Sequence, residues 1–234
     1  PKQIQHKTDE DILNRAKRAW STWHQYELSD RIKIFKQLCG ELVKKQPSLI
    51  TVSNDCFAAI ENMEIKLNTT ISLPGPTGEN NVLFYESRGV IVVITYEEYS
   101  LSDCFSIIIS ALIAGNVVVA ALPDSDNELQ ILIEKCMSLT KIPKQCLQFV
   151  TDKAVRHLLN DKRIAAVISP VHNHQVKYLL SQREGTITPL LCADDLFINN
   201  RLVLEKTVST DSTAAIGNTL LLSQRKSNNS DMIS

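Results

Sequence analysis

Cysteine and histidine are the side chains of this chain with the greatest capacity for nucleophilic or metal chemistry. A catalytic cysteine needs a neighbouring base and a lowered thiol pKa. Cys192 follows the last strand-like segment, but the sequence does not place His157, His172 or His174 beside it. The six cysteines form no C-x-x-C pair and lie ten or more residues apart: Cys39, Cys56, Cys104, Cys136, Cys146 and Cys192. We therefore expect reduced thiols in the core or in loops, as in a cytosolic protein.

Two histidines and two acidic pairs are the other candidates for chemistry. His172 and His174 are one residue apart, and such a pair points to different faces of a helix. No third ligand lies at a useful spacing, so the sequence predicts no metal site. The adjacent carboxylates at 97–98 and at 194–195 follow a pattern typical of solvated loops rather than of an acid–base couple.

Composition argues against phosphate loops, nucleic acid and membranes. Glycine accounts for 7 of 234 residues, and no G-x-G-x-x-G or Walker sequence is present. The 25 Lys and Arg nearly balance the 26 Asp and Glu, so the lysines at 33, 36, 44 and 45 indicate a solvated helix face. Gly115 and Asn116 interrupt the longest apolar run, which falls short of the ~18 residues that a membrane span needs.

Apolar residues at helical spacing predict three helices within residues 1–66. Thr8 is the expected N-cap of the first, and the second begins near Ser29. Pro47 is expected to begin the third, which carries the apolar residues Leu49, Ile50, Val52, Phe57 and Ile60. Residues 73–79 (LPGPTGE) then end helical structure.

Short apolar strands alternate with helices after this point. Strands are predicted at 82–85, 90–95, 116–121, 147–150, 164–169 and 188–191, and helices at 101–114, 129–139, 154–159 and 176–180. This alternation is typical of a parallel sheet that is covered on both faces. The predicted fold is therefore α/β, a Rossmann-like, doubly wound, mostly parallel sheet in a domain of residues 1–200 that begins with helices.

The last part of the chain predicts a C-terminal β-hairpin flap at residues 201–223. Residues 202–210 alternate like an exposed strand, and Gly217-Asn218 suggests a turn. We expect the partly apolar face of this strand to need a surface from another domain or a second copy. Residues 224–234 are polar and predicted to be disordered. The chain begins Pro-Lys-Gln, so we expect a segment of a longer protein.

Several strings resemble the NAD-binding half of the aldehyde dehydrogenase superfamily. Residues 88–95 (RGVIVVIT) are similar to its R/P-G-V-V-G-V-I-x-P-W-N motif, and residues 114–119 (AGNVVV) to its A-G-N-T-V-V-x-K-P motif. Residues 141–150 (KIPKQCLQFV) are similar to its G-L-P-x-G-V-x-N-V-V segment. The resemblance covers most of the chain from Trp20 to Leu222 and implies the same fold.

Three further strings resemble one branch of this superfamily, the C-terminal aldehyde-dehydrogenase-like domain of the proline utilization A family. They are residues 73–79 (LPGPTGE), 183–190 (REGTITPL) and 205–218 (EKTVSTDSTAAIGN). The members of that family are bifunctional proline-catabolic enzymes. The resemblance therefore implies a longer protein with an FAD-dependent proline dehydrogenase domain and an NAD-dependent glutamate-semialdehyde (pyrroline-5-carboxylate) dehydrogenase domain, joined by an internal tunnel.

The chain departs from the superfamily where cofactor and substrate are bound. The oxyanion Asn is replaced in the run from Thr95 to Glu97, and the ribose-binding Lys is missing from residues 119–123 (VAALP). The pyrophosphate turn F-T-G-S becomes residues 167–170 (VISP), which lack the glycine. The domain with the nucleophilic Cys and the general-base Glu has no counterpart. These losses predict a catalytically inactive copy without catalytic, cofactor-binding or metal-binding residues.

The resemblance implies a packing role for such a copy. In ordinary aldehyde dehydrogenases, a β-flap from a partner subunit packs over the neighbouring active domain. Here the flap would pack on the aldehyde dehydrogenase domain of the same longer protein and seal the tunnel. The predicted lid residues are Thr207, Ser209, Thr213, Ala214, Gly217, Asn218 and Leu220.

The partners implied are the proline dehydrogenase and aldehyde dehydrogenase domains of the same protein. Self-association through the flap is a second option, and no nucleic acid is expected. The implied location is cytoplasmic, with peripheral attachment of the longer protein to the inner membrane left open. The alternative function is a free-standing, NAD-binding oxidoreductase domain of the Rossmann type.

Overall fold

The computed structural model describes residues 2–76, 78–95, 100–121, 127–138, 140–169, 173–195 and 197–211. Its helices are α1 (Lys2–Trp23), α2 (Leu28–Lys45), α3 (Ile50–Leu67), α4 (Leu101–Ile113), α5 (Asn127–Met137), α6 (Asp152–Leu158), α7 (His174–Ser181) and α8 (Ile198–Arg201). A 3₁₀ turn, Pro47–Leu49, precedes α3. The strands are β1 (Ile71–Leu73), β2 (Glu79–Ser87), β3 (Val90–Ile94), β4 (Val117–Ala121), β5 (Leu147–Val150), β6 (Ile164–Ser169), β7 (Leu190–Cys192) and β8 (Val203–Asp211).

Five parallel strands form the central sheet, in the order β5-β4-β3-β6-β7. Numbered along the chain this order is 3-2-1-4-5, which is that of a doubly wound Rossmann sheet. Every residue of β3 and β4 is buried, as expected for strands covered on both faces. The predicted fold class is confirmed, and the predicted strands 116–121 and 164–169 lie on either side of β3.

Short polar residues begin three of the helices that follow sheet strands. Ser100 and Thr151 accept hydrogen bonds from the amides of Asp103 (3.1 Å) and Ala154 (3.3 Å) at the starts of α4 and α6. Asn173 accepts one from the amide of Val176 (2.9 Å) at the start of α7. These side chains supply partners for amides that the first turn of a helix leaves unpaired, so the start of each of these helices is stabilised locally.

One expectation for the first helices is wrong. The helix α1 begins at Lys2, so Thr8 lies inside it and is not an N-cap. The preceding Lys, Gln and Ile residues have good helix propensity and contain no breaker, which lets the helix extend. In α3 the buried residues are Ser53, Cys56, Ile60 and Met63, whereas Ile50 is half exposed. The helix α3 packs against both α2 and α4.

Residues 69–85 and the segment that begins at Glu205 form a compact unit of their own, separate from residues 1–68 and 86–204. Its sheet has the order β1-β2-β8, with β1 and β2 antiparallel. The LPGPTGE string forms the connection between β1 and β2, where the amide of Glu79 donates to the carbonyl of Pro76 (3.0 Å). Gly78 has a φ of 95°, a conformation that favours glycine in such a turn.

The strand β8 is hydrogen-bonded to β2 of its own chain. One edge of the strand is therefore paired within the chain, whereas the expectation that its partly apolar face needs a covering surface from another domain or copy stays a prediction. Its residues from Glu205 to Asp211 are nevertheless exposed, as predicted. The predicted Gly217-Asn218 turn and the tail at 224–234 lie outside the described residues.

Candidate functional site

The carboxyl ends of β4, β3 and β6 lie side by side at one edge of the parallel sheet. The register pairs Val93 with both Ala120 and Ile168, so the three strands end at nearly the same level. In this strand order the direction of winding changes between β3 and β6, and α/β proteins bind ligands in the crevice formed there. We call this region the carboxyl edge. It brings together the three segments in which the sequence departs from the superfamily pattern.

Thr95, the residue after β3, is engaged in holding that strand to β4. Its amide and its hydroxyl both donate to the carbonyl of Ala121, at 3.1 and 2.9 Å. The side chain is buried, and its hydroxyl hydrogen is engaged in this bond to Ala121. Thr95 therefore contributes to the strand pairing, and residues 96–99 lie outside the described part of the chain.

Ser169 ends β6 at the position where the superfamily pattern has glycine. It is 1% exposed, and its hydroxyl has no hydrogen-bond partner among the described residues. Its carbonyl accepts from the amide of Ala193 (3.2 Å), which fixes the end of β6 against the segment after β7. A glycine would let a phosphate approach the backbone closely, whereas the side chain of Ser169 occupies buried space there.

The end of β4 carries small aliphatic side chains in place of a cation. Val119, Ala120 and Ala121 are all at most 2% exposed. A ribose-binding lysine would have to reach out from this position, but within the described part of this run the side chains are apolar and short. Residues 122 and 123, which complete the run, lie outside the described residues.

The A-G-N string has a structural role that the sequence did not reveal. Asn116 is completely buried, and its side-chain oxygen accepts from the amides of Arg88 (2.7 Å) and Gly89 (3.0 Å). Its side-chain nitrogen donates to the carbonyls of Ala111 (3.1 Å) and Leu202 (2.9 Å). Both donors and both acceptor positions of the amide are therefore used. One side chain joins the start of β3, the end of α4 and the residue before β8.

Two of the described cysteines, Cys39 of α2 and Cys56 of α3, share a side-chain hydrogen bond. Cys39, Cys56, Cys104 and Cys146 are buried, whereas Cys192 at the end of β7 is half-buried. Burial raises the pKa of the Cys146 thiol to about 12, which makes it a poor nucleophile. His157 lies in the last turn of α6 and His174 begins α7. Among the described residues, no three His, Cys, Asp or Glu side chains form a metal-binding group.

The acidic pair at 194–195 lies in a turn, as the sequence indicates. Asp195 accepts from the amide of Phe197 (2.9 Å) and forms an ion pair with Arg201 at 3.1 Å. These contacts stabilise the segment that leads into α8. His172 and the pair at 97–98 lie outside the described residues.

Two of the seven predicted lid residues are described. Thr207 and Ser209 lie on the exposed part of β8, with the half-exposed Val208 between them. Thr213, Ala214, Gly217, Asn218 and Leu220 lie outside the described residues. The lid assignment therefore stays a prediction.

The comparisons with known proteins agree with this architecture. The family model described as "Aldehyde dehydrogenase family" matches residues 2–169. No curated protein shows significant similarity to the chain.

No described helix has the length and apolar character that crossing a bilayer would take.

Solved structures of the proline utilization A family have the same fold. A point mutant from Bradyrhizobium japonicum has a TM-score of 0.69 and 22% identity, over 79% of this chain and 21% of that one. The protein from Bdellovibrio bacteriovorus has a TM-score of 0.68 and 16% identity, over 79% and 22% of the two chains. A Thermus 1-pyrroline-5-carboxylate dehydrogenase with bound NAD has a TM-score of 0.68 and 14% identity, over 79% and 41%. This chain therefore spans about a fifth of the first two proteins.

Proposed function

Because this chain belongs to the aldehyde dehydrogenase family, we propose that it is a non-catalytic copy of the family's cofactor-binding domain. The carboxyl edge supports this proposal most directly. The hydroxyl of Thr95 donates a hydrogen bond to the carbonyl of Ala121 in β4. Ala121 lies in the segment 119–123, which lacks the ribose-binding lysine of the family. The buried Ser169 occupies the position of the phosphate-binding glycine. These residues do not fit the ribose and pyrophosphate of NAD, so no step of hydride transfer is assigned to this chain.

In the proposed role, the chain packs on an aldehyde dehydrogenase domain and closes a substrate tunnel. The proposal rests on the likeness to proline utilization A and on the strings that resemble its C-terminal domain. In the longer protein, FAD would serve proline oxidation and NAD would serve the aldehyde dehydrogenase step. The exposed strand β8 and the segment after it would provide the packing surface.

The first test is NAD binding by isothermal titration calorimetry. We expect no saturable heat with this chain, because contacts to ribose and pyrophosphate supply much of the affinity for a dinucleotide. A dehydrogenase that binds NAD serves as the control in the same buffer. A dissociation constant below about 1 mM, which corresponds to about −4 kcal/mol, would contradict the proposal and favour the alternative NAD-binding domain.

The second test examines the lid in the longer protein that the proposal implies. The coding sequence upstream of Pro1 should encode an aldehyde dehydrogenase catalytic domain. Deleting residues 212–234 keeps β8 intact and should slow NADH formation from proline, with a lag, because the intermediate escapes from an open tunnel. Flavin-linked proline oxidation should be unchanged.

The matched control is a shorter deletion of residues 224–234, which keeps all seven predicted lid residues. It should leave both steps unchanged. If the longer deletion gives the same NADH rate without a lag, the lid assignment is wrong, whatever the outcome of the NAD titration.

A further inference from the structure

The amino ends of β3 and β6 border a cavity of about 310 Å³. We call it the amino-edge cavity. Its lining includes Lys17 and Trp20 of α1, Arg88 before β3, and Lys162 and Arg163 before β6. Since β3 is five residues long, this cavity lies about 13 Å along the strand from the carboxyl edge. It is therefore distinct from the place where a Rossmann domain binds its cofactor.

Three of the cavity's four cations have no carboxylate partner among the described residues. Arg163 is neutralised, because its guanidinium donates to both carboxylate oxygens of Asp161 and lowers the pKa of that carboxyl group. In the part of the chain that the structure describes, no carboxylate lies within 4.0 Å of the side-chain nitrogens of Lys17, Arg88 or Lys162. A chain with a net charge of −1 thus concentrates three unpaired positive charges around one cavity.

Arg88 is held in place, and in the described part of the chain no carboxylate compensates its positive charge. Its Nε donates to the carbonyl of Arg201, and its two terminal nitrogens have no partner among the described residues. Burial and the nearby charge of Arg201 lower the pKa of Arg88. Its amide and that of Gly89 are fixed by Asn116. An anion in the cavity would compensate the charge of Arg88.

The rest of the lining is also suited to a small ligand. The indole nitrogen of Trp20 donates to the hydroxyl of Ser87 (2.9 Å), and its ring stacks on His24 at 4.8 Å between centroids, so the ring is anchored. Thr186 adds a hydroxyl, and Ile187, which is 97% exposed, adds an apolar side chain. The volume is near the lower end of the usual range for ligand pockets, which excludes a dinucleotide.

We propose that the amino-edge cavity binds the phosphate group of a small metabolite, with Lys17, Arg88 and Lys162 as its ligands. Three cations match a dianion better than a single carboxylate. The guanidinium of Arg88 supplies directional donors, and the two ammonium groups act as adaptable point charges. Trp20 and Ile187 would contact the carbon part of a phosphate ester.

The test is calorimetric titration of the full chain with inorganic phosphate and, separately, with glycerol 3-phosphate, at constant ionic strength set with chloride. We expect saturable binding of one phosphate group per chain. The Lys17→Gln/Lys162→Gln double variant should bind phosphate at least roughly tenfold more weakly, since each substitution removes a charge-assisted contact. Tighter binding of glycerol 3-phosphate identifies an ester as the ligand, and equal affinity identifies phosphate itself.

The matched control is the double variant Lys33→Gln/Lys45→Gln, which removes the same charge from exposed positions on α2. It should bind phosphate like the unchanged chain. All four lysines are exposed, so both variants should keep the fold, as circular dichroism melting would verify. Absence of saturable binding, or equal weakening in the two double variants, would overturn the proposal. Neither result depends on whether the chain binds NAD.

Discussion

Replacing Asn116 with Ala is expected to lower the free energy of unfolding by about 3 kcal/mol or more. The change removes four hydrogen bonds of 2.7 to 3.1 Å in a completely buried place. It leaves the amides of Arg88 and Gly89 and the carbonyl of Leu202 without this partner, whereas the carbonyl of Ala111 keeps its bond from the backbone amide of residue 116 (3.1 Å). Each buried group left unsatisfied costs about 1–3 kcal/mol, and relaxation recovers part of that sum. Urea denaturation at neutral pH measures the loss.

Asn81 offers a matched control for this substitution. Its side-chain nitrogen makes only long contacts, at 3.5 Å to the carbonyl of Pro74 and 3.4 Å to Glu79, on the partly exposed β2. Asn81→Ala should change the free energy of unfolding by less than about 1 kcal/mol. A loss below about 1 kcal/mol for Asn116→Ala as well would show that the four bonds of Asn116 contribute little to stability.

Replacing Val118 with Asp is expected to prevent folding. Val118 is completely buried in β4, between Ile91 of β3 and Leu147 of β5. A carboxylate there would lie between apolar residues of three adjacent strands, and burying it or protonating it costs several kcal/mol. That cost is comparable with the whole stability of a typical domain, about 5–15 kcal/mol. The soluble fraction and the circular dichroism melting curve measure the outcome.

Two control variants test whether the burial of Val118, rather than the introduction of an aspartate or the loss of the valine as such, prevents folding. Val208→Asp introduces the same residue on β8, where Val208 is 50% exposed, and should leave the melting curve nearly unchanged. Val118→Ala removes two methyl groups without adding charge and should give a folded chain that is less stable by about 1–3 kcal/mol. A soluble Val118→Asp chain that melts like the unchanged one would contradict the burial of β4.

The parallel sheet was predictable because its strands are continuous apolar runs between polar or breaking residues. The bounds of β5 and β6 agree with the prediction, and β4 begins one residue later than predicted because Asn116 turns its side chain to other segments. The prediction was less accurate where tertiary contacts choose between similar alternatives. The three-residue β1, which was not predicted, is one case.

Among the candidate site residues, the sequence identified positions but not their contacts. It singled out the A-G-N string as a family resemblance, yet the four partners of Asn116 lie 5 to 86 residues away along the chain. It likewise treated Arg88 as part of a motif and gave no sign of the amino-edge cavity. The seven lid residues remain predictions, since only Thr207 and Ser209 lie in the described part of the chain.

The sequence by itself determined the α/β class, most strand positions and the replacements at 95–97, 119–123 and 167–170. These features depend on residue type and on periodicity over a few positions, which any short segment carries within itself. Only the tertiary structure decided that Thr95, Ala121 and Ser169 share one edge of the sheet, and that Lys17, Arg88 and Lys162 surround a cavity at the other. The order of the strands in the sheet decides both groupings. That order depends on which apolar faces, contributed by distant parts of the chain, pack against one another.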